Sequence, residues 1–327
     1  MSGLQKSAIN VVFGAMTIGR PGLEGVRVTT LEETAAILDV FQKHGHSEVD
    51  TARLYGQGSS EEYIGNAQWQ KRGLNMDTKL YPTAGRLSVI SPEGLKRSLE
   101  ALKTIKLDMW YLHGPDRSTP FEVTLREVDN LHKEGFFERF GISNYMSWEV
   151  AQICEICDKH GWIKPSVYQG VYHALQRSIE PELFPCLRHY GMSLYAFQPL
   201  AGGFLTDRYY RDTKEFEEGS RFDLKRWQGS LHHQRYWNDF YFDALDIIRP
   251  VAKKHGLTEA ECALRWLTHH SQLKKELGDA IIVGASSAKQ LEQNLVDIEK
   301  DVLPEEVVQA LDAAWRHVRG VVPRYWH

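Results

Sequence analysis

Glu48-Val-Asp-Thr-Ala-Arg-Leu-Tyr-Gly56 reads as the last residues of a short strand followed by a turn. Asp50 sets a carboxylate where that strand leaves the core, and Tyr55 stands beside Gly56, in a turn able to aim a phenol into a cleft. Working outward, the next two strand-like segments also end on polar residues. Lys79 closes Asn75-Met-Asp-Thr-Lys79, and His113 closes Asp108-Met-Trp-Tyr-Leu-His113. A carboxylate, a phenol, an amine and an imidazole all fall at strand exits. They form one constellation if the strands run parallel and share one open end.

The rest of the chain supports such strands. Val11 to Met16 is a continuous apolar run, as a buried parallel strand requires. Leu31 to His44 then shows helical spacing, opened by a capping box of Thr30 and Glu33. Further strands are expected near 47–51, 76–81, 108–113, 138–143, 166–172, 192–197 and 279–284. Helices are expected near 60–71, 92–104, 120–134, 147–160 and 180–190, with a longer block over 240–270. Ser91-Pro92 and Thr119-Pro120 pair a capping hydroxyl with a proline at the first helical position, Glu122 completing the second box. Thr258 with Glu261, and Ser287 with Gln290, repeat the device, while Gly45, Gly135, Gly161 and Gly191 close helices in the left-handed region. Eight strand candidates, each followed by helical sequence, predict an α/β fold of the closed parallel (β/α)8 TIM-barrel type. A doubly wound open sheet would carry Gly-x-Gly-x-x-Gly after its first strand, and Gly14-Ala-Met-Thr-Ile-Gly19 has the wrong spacing.

One interval breaks the rhythm. About 200–240, after the seventh strand, is far longer than an ordinary βα loop and carries Gly202-Gly203 and many aromatic residues. It is read as a lid or cofactor loop. The whole of 1–327 is read as a single barrel domain, with a C-terminal segment about 300–327.

Composition narrows the partners. The 327 residues are 42% hydrophobic and 25% charged, with a net charge of -4, ordinary for a globular protein with a sizeable core. Interspersed charge favours neither nucleic acid nor an anionic membrane, and no apolar run approaches the roughly 18 residues of a membrane span. The N-terminus shows no signal core, so a cytoplasmic location is expected. Four cysteines are too few for a disulfide framework. Cys154-x-x-Cys157 with His160 lies in an amphipathic segment without a second ligand pair, so no metal site is assigned.

At the shared mouth of a barrel, Asp50, Tyr55, Lys79 and His113 would converge. A neighbouring ammonium stabilises a phenolate and is expected to lower the tyrosine's pKa from about 10. Asp50 would orient Lys79, Tyr55 would give a proton to an oxygen, and His113 would hydrogen-bond the same oxygen. Proton delivery to a carbonyl oxygen is half of a carbonyl reduction. The other half is hydride, which no side chain supplies, so a nicotinamide cofactor is implied. Each residue alone is more often structural than catalytic; the joint placement carries the inference. A hydrolytic carboxylate pair would need a second acid facing Asp50, where the strand ends offer Lys and His.

Asp50-x4-Tyr55, Lys79 and His113 with its following Gly-Pro-Asp resemble the catalytic tetrad of the aldo-keto reductases, from about Val11 to Asn294. Asp50-Thr-Ala-Arg-Leu-Tyr-Gly, Gly141-Ile-Ser-Asn-Tyr, Pro199-Leu-Ala-Gly-Gly-Phe-Leu-Thr and the terminal Val322-Pro-Arg-Tyr-Trp-His327 resemble the aflatoxin aldehyde reductase branch. The resemblance implies NADPH/NADP+ as cofactor and a small-molecule carbonyl substrate, an aldehyde, ketone or dicarbonyl. It implies cofactor contacts at Met16, Asp50, Ser143, Asn144, Gln169, Phe197, Gln198, Leu200, Gly202, Arg208 and Arg221. It also implies Gly284, Ser286, Gln290, Gln293 and Asn294 along the adenosine 2'-phosphate and adenine. Ser143, Asn144 and Gln169 would hold the carboxamide, and Phe197 would stack on the nicotinamide. Gln290 stands where other branches often present Arg to the 2'-phosphate, and Lys289 or Arg221 would supply the missing charge. His232, Arg235 and His327, with Tyr55 and His113, are the expected substrate contacts. Arg235 would hold acidic aldehydes such as succinic semialdehyde, although the branch tends to end in Arg where this chain ends in His327. The potassium-channel β subunits share the superfamily fold, so a regulatory NADP-binding subunit is the alternative; the short N-terminus without an inactivating extension argues against it. A homodimer stays open.

Overall fold

Short apolar runs punctuated by caps become eight parallel strands that pair in chain order and close on themselves, β8 returning to β1. This computed structural model describes residues 7–81 and 92–327. The strands are β1 Asn10–Gly14, β2 Glu48–Asp50, β3 Asn75–Leu80, β4 Leu107–Leu112, β5 Phe137–Ser143, β6 Val167–Val171, β7 Ser193–Phe197 and β8 Ala280–Val283. Around them lie α1 Leu31–Lys43, α2 Ser59–Asn66, α3 Pro92–Leu102, α4 Phe121–Lys133, α5 Ser147–His160 and α6 Leu183–His189. Five more helices complete the ring: α7 Trp227–Tyr236, α8 Asp239–Lys254, α9 Glu259–His269, α10 Ala288–Ile298 and α11 Glu305–Val318. The expected TIM barrel is the fold.

Local chemistry sets the boundaries. The Thr30–Glu33 capping box forms in both directions, and Thr258 caps α9 through the Glu261 amide. The second expected box does not form. Thr119 Oγ1 donates to Asp116 Oδ2 at 2.8 Å, so its hydroxyl is committed to a tight Asp116 turn and α4 begins after Pro120 without a side-chain cap. Ser91 of the other Pro-led start lies outside the described residues. The expected block over 240–270 is two helices, because Gly256 takes φ 67 and Thr258 restarts the chain as a cap.

Alternation along each strand divides side chains between the helix layer and the barrel interior. The outward set joins the helices in one extensive core. The interior is split. Val12, Met109, Tyr111, Val167, Tyr195, Ala280 and Ile282 form an apolar cluster, whereas the inward positions of β2, β3 and β5 carry charge at Glu48, Asp50, Asp77, Lys79 and Arg139. Gly141 lets this interior close: a Cβ there would stand 2.3 Å from the Tyr111 ring.

The segment 200–240 is anchored rather than loosely solvated. Phe204, Tyr209, Phe216, Phe222, Tyr236 and Trp237 pack ring against ring within it and against Phe242 of α8. Such a cluster buries large aromatic surfaces, and it holds α7 over the barrel.

Candidate active site

Three of the four strand-exit residues are positioned by adjacent strands, and the fourth by the turn between them. Asp50 ends β2, Lys79 is the penultimate residue of β3, and His113 follows β4, its N–H bonded to the Leu80 carbonyl at 3.0 Å. The Arg53 N–H bonds the Lys79 carbonyl at 3.0 Å, prolonging the ladder into the turn that presents Tyr55. The sequence constellation is therefore one site at the C-terminal mouth.

Lys79 Nζ donates to both Asp50 oxygens, at 2.6 and 2.5 Å, and to the Thr51 carbonyl at 2.7 Å. Gln169 Nε2 donates to Asp50 Oδ1 at 2.9 Å. Both ions are withdrawn from water, Lys79 at 0% and Asp50 at 2% exposure, so the pair depends on these bonds. Burial pulls the Lys79 ammonium down, but Asp50, Tyr55 and Asp77 reverse that and leave its pKa above the ordinary value. Burial likewise raises the Asp50 carboxyl, against Lys79 and Gln169.

Lys79 Nζ lies 5.1 Å from the Tyr55 ring centroid, and the Tyr55 and His113 rings meet edge-on at 5.8 Å. The structure corrects one expectation here. Burial raises the Tyr55 phenol more than Lys79 lowers it, so Tyr55 stays a protonated phenol across the neutral range and Lys79 acts on the phenolate only as it forms. His113 is held well below its usual pKa by burial, Lys79 and His327. It is a neutral imidazole, and its Nδ1 is buried without a hydrogen-bond partner.

The expected cofactor residues line the mouth and the start of α10. Asn144, at φ 67, donates to the His113 carbonyl at 2.8 Å and to Ser143 Oγ at 3.1 Å. With the Gln169 amide nitrogen committed to Asp50, its oxygen remains to accept from a planar amide. Phe197 is half-buried at the end of β7, and Gln198 Oε1 accepts from Tyr236 at 3.0 Å. Leu200 leads into the turn at Gly202, whose φ is 69 and where a Cβ would meet His232 at 2.3 Å. Ser286 N and Oγ both donate to Gln290 Oε1, at 2.7 and 2.8 Å, and the Asn294 amide nitrogen is buried without a partner. Gly284 is exposed beside them, while Gln293 donates to Asp297 at 3.1 Å. Backbone turns, an orphaned amide and a helix N-terminus give a donor set that fits a dinucleotide phosphate and adenine.

Two of the expected cations already have protein partners. Arg208 is exposed and paired with Glu217 at 3.3 Å. Arg221 donates to Gln228 at 2.6 Å and to Met16 Sδ at 3.2 Å, and its charge bears on Tyr55. Of the expected substrate contacts, His327 stacks on Tyr81 at 5.7 Å, beside His113. Arg235 is half-buried, has no ion-pair partner among the described residues, and bears electrostatically on His327. His232 instead packs beneath the Gly202 turn at 2% exposure, its Nδ1 against the Gln228 carbonyl at 2.9 Å. Tyr81 and Arg117, which bonds the His327 carbonyl at 2.9 Å, were not singled out from sequence. Tyr81 closes the expected strand 76–81 and meets His113 edge-on at 5.3 Å, a strand-exit signal of the same kind as Lys79; Arg117 has no motif and is held beside the chain end by Glu149.

Among the described residues, no three His, Cys, Asp or Glu residues group to hold a metal, and no helix is long and apolar enough to cross a membrane. A family model described as Aldo/keto reductase family matches residues 10–316. The chain is 52% identical to the aldo-keto reductase pigE of Monascus ruber, with 98% of each chain covered. It is 40% identical to the aflatoxin B1 aldehyde reductase member 2 of Homo sapiens, over 96% of this chain and 89% of that protein. An aldo-keto reductase from Klebsiella pneumoniae, solved in complex with NADPH, shares the fold at a TM-score of 0.68 and 24% identity, over 93% of this chain and 90% of that one.

Proposed function

Because the chain belongs to the aldo/keto reductase family, we propose that it reduces aldehydes or ketones to alcohols with NADPH, Tyr55 serving as general acid. The observation that carries this reading is the buried Asp50–Lys79 pair beneath a protonated Tyr55, with a neutral His113 at its edge. Bound NADPH supplies the hydride. Ser143, Asn144 and the free Gln169 oxygen would fix the carboxamide and so the ring face presented to substrate. Ser286, Gln290 and Asn294 would hold the adenosine end. Tyr55 then donates its proton to the substrate oxygen, His113 hydrogen-bonds that oxygen, and Lys79 stabilises the phenolate left behind.

Substrate choice is proposed from Arg235 and His327, two nitrogen-bearing groups beside the reacting end of the mouth. They suit acidic aldehydes such as succinic semialdehyde alongside neutral aldehydes and dicarbonyls. A cytoplasmic site of action is proposed from the four free cysteines, the state expected in a reducing compartment.

The decisive experiment follows NADPH absorbance on adding a panel of neutral and acidic aldehydes, with the unmodified protein and with Tyr55→Phe. The variant should bind NADPH normally and lose on the order of a hundredfold or more in turnover. Near-normal reduction by Tyr55→Phe would overturn the assignment of the acid.

A further inference from the structure

Below the catalytic pair, the barrel interior holds a carboxyl group that the reaction as described leaves idle. Asp77 lies opposite Asp50 in the β2–β3 register, two residues before Lys79 on the same strand. Alternation points all three side chains inward, and neighbouring strands stand only about 4.8 Å apart. Asp77 is 0% exposed, and neither of its oxygens receives a hydrogen bond from a described donor. The Tyr111 hydroxyl, on the next strand, is also buried and unpartnered.

The groups facing Asp77 are Glu48 and Asp50 from β2, Lys79 from β3, Tyr111 from β4, Arg139 from β5 and Tyr195 from β7. Lys79 is spent on Asp50. Arg139 is spent on Glu48, at 2.8 Å, and Tyr195 donates to the same carboxylate at 3.0 Å. Three carboxyls therefore face two cations in a low-dielectric interior. Leaving Asp77 ionised would bury an uncompensated charge, so a proton is retained there. Burial first, then Glu48 and Asp50, hold its pKa well above the usual carboxyl value. Two carboxyls that close can also bond each other only through such a proton, and Glu48 is the group next to Asp77.

This proton sits between the catalytic pair and water. Glu48 and Arg139 form the far end of the network, with side chains 19% and 39% exposed at the N-terminal end of the barrel. Substrate and cofactor occupy the opposite mouth during turnover. We propose that Asp77 is a relay residue that returns a proton to Tyr55 from the N-terminal end of the barrel, by way of Asp50 and Lys79. The inference rests on the reductase reading above. The substrate oxygen takes the Tyr55 proton, the phenolate takes one from the Lys79 ammonium, and the amine is recharged through Asp50 from the Asp77 carboxyl. Asp77 recovers its proton from water through Glu48. One proton enters from solvent for each carbonyl reduced, and no further oxidant or reductant is needed.

The test separates hydride transfer from proton uptake. Single turnovers are followed by NADPH absorbance and, in weak buffer, by a pH-indicator dye. In the unmodified protein the two signals should coincide. In Asp77→Asn, which keeps the shape and removes the titrating group, NADPH oxidation should proceed and dye-reported uptake should lag by on the order of a hundredfold. Glu48→Gln, at the more exposed end, is read in the same way and serves if Asp77→Asn does not fold. A readout without cofactor is the infrared difference spectrum between the unmodified protein and Asp77→Asn at neutral pH, in which one protonated-carboxyl C=O stretch should be lost with Asp77, while buried Glu259, whose carboxyl burial raises to about 7, contributes equally to both. Coincident signals in the folded variant, or no such stretch in the difference spectrum, would overturn the relay alone. Failure of the unmodified protein to oxidise NADPH with any aldehyde would instead overturn the reductase reading, and the relay with it.

Discussion

Replacing Lys79 with Met separates the two tasks that its ammonium performs. Nζ lies 5.1 Å from the Tyr55 ring centroid, where attraction for a phenolate at an effective dielectric near 20 is about 3 kcal/mol. That corresponds to a loss on the order of a hundredfold in the reductive step. The same change strips a 2%-exposed Asp50 of two of its three side-chain hydrogen bonds, leaving the Gln169 amide, and breaking one side of a buried pair costs roughly 3–5 kcal/mol of stability. Adding Asp50→Asn removes the stranded charge. The double variant should recover much of the stability and none of the rate, because a neutral amide relieves burial without stabilising a phenolate. Single-turnover NADPH oxidation with a neutral aromatic aldehyde reads the first quantity, and urea unfolding reads the second. Rate returning together with stability in the double variant would refute the reasoning, since Lys79 would then act only as a support for the fold.

Two further expectations concern recognition. Gln290 occupies the first turn of α10, where its side chain accepts from Ser286; Gln290→Arg should tighten NADPH by roughly fivefold, about 1 kcal/mol for a charge placed on a phosphate, and leave NADH unchanged in fluorescence titrations. Equal tightening of both cofactors would show that the new side chain misses the 2'-phosphate. Arg235→Ala should raise KM for succinic semialdehyde by at least about tenfold, as expected for a lost charged hydrogen bond, while a neutral aromatic aldehyde is little affected. Burial, then Arg235 and Arg117, keep His327 below the ordinary imidazole pKa. At neutral pH it is therefore uncharged, and only acidification past the ordinary imidazole range adds positive charge, which should lower KM for the acidic aldehyde alone; parallel pH profiles for both substrates would remove His327 from carboxylate binding.

Most of the barrel is legible because its signals are local. Strand runs, the Thr30–Glu33 and Thr258 caps, and the glycine helix ends each depend on a few neighbouring residues, and the strands carry Asp50, Lys79 and His113 to one end without further information. What the sequence hides is tertiary. Thr119 has the composition of a cap, yet Asp116, three residues earlier, competes for its hydroxyl. Arg221 is expected to reach a phosphate, and no local signal shows that Gln228 and Met16 hold it where its charge bears on Tyr55. His232 looks like a polar residue on a binding loop, whereas the Gly202 turn closes over it. The direction of the Tyr55 shift depends on burial, which a pairwise estimate from an ammonium and a phenol leaves out.

Asp77 was within reach of the same rule that found Lys79. In Asn75-Met-Asp-Thr-Lys79, strict alternation puts Asp77 on the face of Lys79, and register with β2 puts it opposite Asp50. The sequence therefore supplies the neighbours, but the charge count needs the closed barrel. Only closure brings Arg139 of β5 and Tyr195 of β7 onto Glu48 of β2, which consumes the second cation and leaves Asp77 without one. A carboxyl that would be solvated on an open sheet edge becomes, in the closed interior, a group that must hold a proton. The apolar half of that interior matters equally. Val12, Met109, Val167 and Ile282 restrict solvent to the ends of the barrel, so that protons leaving the network have Tyr55 at one end and the Glu48–Arg139 pair at the other.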